Sequence, residues 1–178
     1  MQNELNCFHE LHEQQERFKQ VNAMLVNVYV EVSSKCPRRT DKRYSYILEV
    51  DRNGIPITAS GSGSGCLTYH QATLKAILEA LGRISKPSEI IVHVPDHFAG
   101  NALKWLPDFA GRGFKTVRGK EVKNKEILKA ILKDLKKHSF RTIAGSHNYS
   151  KWLQTQMIKG EANAKVGRMQ ILPSASHD

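Results

Sequence analysis

Two runs rich in β-branched and aromatic residues, Tyr44 to Val50 and Ile55 to Ala59, flank Asn53-Gly54. Both residues of that pair tolerate positive φ, and such a pair between two strand-like runs is the strongest short-range hairpin signal. It commits this part of the chain to an antiparallel sheet. The run before it, Val26 to Val32, alternates valine with polar residues and predicts a further strand. A polar, cationic connection from Ser33 to Arg43 joins the two. Gly61-Ser62-Gly63-Ser64-Gly65 reads as a short mobile connector from strand to helix; no Lys-Ser/Thr follows it, so it is not a P-loop.

Beyond that point the hydrophobic period changes. Leu74, Ile77, Leu78 and Leu81 fall at i, i+3, i+4 and i+7, predicting a helix from about Tyr69 to Ile84 that stops near Gly82 and Pro87. Glu89 to Val94 is short and almost continuously apolar, the pattern of a strand buried on both faces. Asp96 opens a helix that Pro107 interrupts. After a basic loop, Lys123 to Lys137 predict a helix with Ile127, Ile131, Leu132 and Leu135 inward. Phe140 to Ala144 reads as a last strand and Asn148 to Ile158 as the last core helix. Hairpins first and crossovers later imply an α/β domain, a mixed sheet with helices on both faces. We place that domain at 26–158. Residues 1–25 are expected to form an amphipathic N-terminal helix carrying Leu11, Phe18, Val21 and Leu25, and 159–178 a loosely held tail.

Charge narrows the function. The 178 residues carry 27 Lys+Arg against 17 Asp+Glu, a net +10. Lys104 to Lys151 hold much of the excess, whereas the first sixteen residues contain four Glu and no Lys or Arg. An excess of this kind favours polyanions, because each neutralised phosphate releases counterions. The apolar runs are too short for a bilayer, Met1-Gln2-Asn3-Glu4 offers no secretory start, and Cys7, Cys36 and Cys66 match no zinc or redox spacing. A cytoplasmic protein without membrane contact is expected.

Several local motifs, in this order, resemble the ribonuclease H family. They are Ala76-Ile77-Leu78-Glu79-Ala80-Leu81, Ile90 to Asp96, Gly113-Phe114-Lys115-Thr116 followed by Val122-Lys123-Asn124, and Gly145-Ser146-His147. The likeness runs from about Val26 to Met157. It implies a five-stranded mixed sheet flanked by helices. It also implies a site in which four carboxylates hold two divalent ions, Mg or Mn, for phosphodiester cleavage. Carried over position by position, the resemblance makes Glu31 and Asp96 metal ligands and catalytic residues, with His147 as a catalytic proton-shuttling histidine. Two positions depart from it. Thr73 stands where an acid is expected on the first long helix, with Glu79 on another face, and Asn148 to Met157 contain no acid, leaving Gln154 or Met157 in that region. Read without the resemblance, Glu31 is a solvent-facing strand residue, Asp96 a helix N-cap and His147 a surface loop residue.

The candidate nucleic-acid contacts form two clusters. Lys35, Arg38, Arg39, Lys42 and Arg43 lie between the first two strands; Arg112, Lys115, Arg118, Lys120 and Lys123 lie in the basic loop. Phe114 and Trp105 either stack on bases or fill the core, with core the expectation for Trp105. Two functions follow. One is a protein that binds RNA or an RNA–DNA hybrid and cleaves RNA weakly with a metal. The other is a catalytically inactive module that docks on a ribonucleoprotein and inhibits or redirects it, as an anti-CRISPR-type inhibitor from a mobile element would.

Overall fold

The structure, a computed structural model, describes residues 23–159. Strands β1 (Met24–Val32), β2 (Thr40–Arg52) and β3 (Ile55–Leu67) come first, then helix α1 (Tyr69–Leu81) and β4 (Ser88–Val94). Helices α2 (His97–Lys104), α3 (Leu106–Gly111) and α4 (Lys125–Leu135), strand β5 (Ser139–Ala144) and helix α5 (Ser150–Lys159) complete the order. The sheet runs β3-β2-β1-β4-β5. Its hairpin half is antiparallel, and β1–β4 and β4–β5 are parallel, so the expected five-stranded mixed sheet is present. Of the N-terminal helix expected over 1–25, residues 1–22 lie outside the described residues, as does the tail from 160 onward. Met24 and Leu25 belong to β1 and not to a helix.

The turn behaves as its residues dictate. Asn53 and Gly54 have φ of 58° and 81°, Arg52 pairs with Ile55, and Asp51 Oδ1 accepts from Gly54 N–H at 2.8 Å. Beyond it the glycine-serine run is no mobile connector. It continues β3, with Gly61 opposite Tyr46 and Gly63 opposite Tyr44. A Cβ on Gly61 would lie 2.3 Å from the Tyr46 ring, and one on Gly63 2.4 Å from the Tyr44 hydroxyl. The tyrosines therefore lie flat across β3 where side chains are missing. Tyr44 then reaches α1, donating to Glu79 Oε1 at 2.5 Å; burial first, and that bond second, push its hydroxyl pKa up.

One face of the sheet carries most of the core. Val26, Val28, Val30 and Val32 of β1 and Ile90, Val92 and Val94 of β4 are buried under Leu74, Ile77 and Leu81 of α1 and Leu128, Ile131 and Leu135 of α4. Leu128 is buried beside Ile131 and Leu135, whereas Ile127 and Leu132, expected inward, are only partly buried. Each such side chain contributes about 1.5–3 kcal/mol. Helix α1 starts where a capping box ties Thr68 to Gln71 and ends at Gly82. The opposite face holds a smaller cluster, Tyr29 and Ile47 beneath Leu153 of α5.

Candidate nucleic-acid site

The topology brings the sequence candidates to one rim. Strands β1 and β4 are parallel, with Tyr29 beside His93, so Glu31 and Asp96 leave the sheet at the same end. The start of β2 and the end of β3 reach that rim too, since Thr40 pairs with Leu67, and so does the end of β5, where Ala144 pairs with Val94. Helix α1 and the loop holding His147 begin directly after. Both carboxylates are 3% exposed. Neither is a solvent-facing strand residue.

Asp96 caps α2 through Oδ1, which accepts from Phe98 N–H at 2.9 Å, while Oδ2 meets His70 Nδ1 at 2.6 Å. The N-cap reading thus holds, with a histidine added. Glu31 is held from α5: Gln154 Nε2 donates to its Oε2 at 2.8 Å and to the Val32 carbonyl at 3.0 Å. His147 Nε2 lies 3.0 Å from the Val30 carbonyl and 3.6 Å from Glu31 Oε1. A carbonyl only accepts, so Nε2 carries the hydrogen, which leaves buried Nδ1 without a partner. Burial lowers the His147 pKa, opposed by the Val30 bond and the Glu31 charge. Its side chain is 3% exposed, so it is neither a surface residue nor free to swing as it stands. The Tyr69 hydroxyl is buried and unpartnered as well. Burial raises its pKa, and the charges of Asp96 and then Glu31 raise it further. One hydroxyl thus feels both carboxylates.

The expected cation cage does not fit these residues. Thr73 is fully buried and donates to the Tyr69 carbonyl at 3.1 Å; Gln154, on the last helix, offers a donor where an anion is required. Glu79 is spent on Tyr44. Among the described residues no group of three or more His, Cys, Asp or Glu gathers to hold a metal. Two ions a few ångströms apart need several anionic oxygens, because their mutual repulsion otherwise expels one. Here two carboxylates already accept from protein donors.

The basic clusters divide on inspection. Lys35, Arg38, Arg39 and Arg43 are exposed at the rim; Arg39 donates to the Cys66 carbonyl at 3.0 Å and Arg43 to that of Met157 at 2.5 Å. Lys42 does not belong with them. It is 1% exposed, and its ammonium donates to the Arg38 carbonyl, Thr40 Oγ1 and the Leu67 carbonyl at 2.8, 2.6 and 3.0 Å. Strand alternation turns it inward with Tyr44 and Tyr46, out of reach of a phosphate. Arg112, Lys115, Arg118, Lys120 and Lys123 are all exposed on the loop between α3 and α4. Buried Phe114 anchors that loop, with the Lys129 ammonium 5.9 Å above its ring. Trp105, expected in the core, is 57% exposed.

His70 does not stand out in the sequence. Its tie to Asp96 spans 26 positions, and the one signal that points to it is its place in the first turn of the helix leaving the rim.

No protein-family model matches the chain. The curated ribonuclease H of Thermus thermophilus is 32% identical over 81 residues, 44% of this chain and 49% of that protein; the chain spans about half the length of such relatives. Among solved structures, LC9-RNase H1, described as a type 1 RNase H with the type 2 active-site motif, superposes with a TM-score of 0.63 at 15% identity, covering 86% of this chain and 80% of that one. The foamy viral protease-reverse transcriptase in complex with RNA/DNA hybrid gives 0.50 at 18% identity, over 75% of this chain and 20% of that one. No helix among the described residues is long and apolar enough to cross a membrane.

Proposed function

We propose that this chain, which has the ribonuclease H fold and is similar to curated ribonucleases H over about half their length, binds RNA or an RNA–DNA hybrid along the rim where Glu31 and Asp96 emerge. One observation carries the reading: the rim that collects both carboxylates also presents Lys35, Arg38, Arg39 and Arg43 to solvent. Phosphate contacts of this kind supply most of the affinity and set the register of the nucleic acid. Arg39 and Arg43 are already tethered to backbone carbonyls, so little side-chain freedom remains to be lost on binding. The exposed loop from Arg112 to Lys123 adds a second cationic contact. A foamy viral relative in fold has been captured with an RNA/DNA hybrid, which supports the same class of partner.

Cleavage through Mg²⁺ or Mn²⁺ is not part of this reading, because the donor set does not suit them. Anisotropy titrations with a labelled hybrid, single-stranded RNA and duplex DNA over a range of salt test the proposal. Binding should weaken steeply with salt, and R38A/R39A should lower the log–log slope by about 2, one for each phosphate left unneutralised. No binding at low salt would refute it. The closed carboxylates suit the non-cleaving ribonucleoprotein module equally, and that alternative predicts that free RNA or hybrid binds no better than duplex DNA.

A further inference from the structure

The carboxylate cage expected here leaves His70 without a role, yet its geometry is that of an oriented base. Asp96 accepts from Phe98 N–H with one oxygen and from His70 Nδ1 with the other. A carboxylate in that position holds the imidazole hydrogen on Nδ1 and leaves a lone pair on Nε2. The ring is wedged between Tyr69 and Phe98, with centroids 5.7 and 4.3 Å away. Even so, the His70 side chain is 36% exposed, against 3% for Asp96, and none of the hydrogen bonds made by the described residues engages Nε2. His70 is the second residue of α1, so it stands at the positive end of a helix dipole, which favours negative charge building on a nearby phosphate. Phe98 is 45% exposed and offers a ring face on which a base can stack.

We propose that His70, positioned by Asp96, is a general base for cleavage of unpaired RNA without a metal ion. Nε2 takes the proton of a ribose 2′-hydroxyl. The O2′ forms a bond to the adjacent phosphorus, the P–O5′ bond breaks, and the departing O5′ takes a proton from water; the hydroxide so formed removes the proton from His70. The products are a 2′,3′-cyclic phosphate and a 5′-hydroxyl end, with nothing oxidised or reduced. In-line attack needs backbone torsions that A-form pairing denies, which makes flexible RNA the substrate class. The inference rests on the nucleic-acid reading of the same rim.

The test uses the full chain in EDTA with a labelled single-stranded RNA, a copy carrying one 2′-deoxy sugar at the mapped cut site, and binding measured in parallel. Cleavage should leave cyclic phosphate ends and vanish on the 2′-deoxy copy. It should slow by about 10²-fold or more in H70A, the scale of general acid–base catalysis, and recover in part with added imidazole. H70N serves the same purpose if H70A folds poorly. RNA bound but uncut in EDTA, cleavage by H70A at the wild-type rate, or 5′-phosphate ends would overturn the general base alone. Failure to bind any of the nucleic acids would remove the rim reading and this inference with it.

Discussion

Glu31 and Asp96 are equally buried at one rim but differently attended. Glu31 is closed in by Gln154 and by His147, whose side chain is as buried as its own. Asp96 instead holds a histidine that reaches solvent. The same chemical group, at the ends of neighbouring parallel strands, thus serves on one side as an internal tie between α5 and the sheet and on the other as a support for an accessible imidazole. Burial alone does not reveal which role a carboxylate plays; its partner's exposure does.

Substitutions should separate the two. Glu31→Ala leaves the Gln154 amide without its carboxylate acceptor, and should cost about 1.5–3 kcal/mol in urea unfolding, the worth of a hydrogen bond to a buried charged group. Gln154→Glu replaces a donor by a second carboxylate and should cost about 1–3 kcal/mol, the penalty of leaving a buried group unpaired. A thermal shift with Mn²⁺ in that variant, and none in the wild type, would confirm that donor type excludes the cation. Acid should act through buried histidines, His147 and His93 packed together near Glu31 and His138 against Ser88 at the start of β4. Burial holds the His147, His93 and His138 pKa values below the ordinary 6.5. In the unfolded chain these imidazoles take up protons first, so their contribution is complete above about pH 6.5 and is lost as pH falls below it. The limit is about 1.4 kcal/mol per pH unit for each proton; melting temperatures from pH 7.5 to 5 check this, and a flat profile would contradict it. Asp96→Asn keeps a good N-cap and should cost less than about 1 kcal/mol, so its effect belongs in RNA cleavage and not in stability.

Most of the fold is legible in the sequence because hydrophobic period reports it directly. The valines of β1, the Leu/Ile stripe of α1 and the Asn-Gly turn each carry their own physical signal. The glycine-serine run misleads because strand propensity is read from side chains, whereas here their absence is what admits Tyr44 and Tyr46. Lys42 misleads for a related reason. Counted as a charge it belongs outside, yet it falls on the same strand parity as Tyr44, Tyr46 and Leu48, a pattern visible in the sequence once β2 is extended back to Thr40. The convergence of Glu31 and Asp96 follows from the family likeness. The tie from His70 to Asp96 joins the start of one helix to the start of another, and no periodicity within either segment encodes it.

The tyrosine–glycine seam of the hairpin has a consequence for how this chain can diverge. Randomising codons 60 to 65 and selecting for folded protein should return a comb-like tolerance. Glycine would be fixed at 61 and 63, where any Cβ collides with a ring, whereas alanine would be accepted at Gly65, whose nearest neighbour is Leu67 at an ordinary 3.5 Å.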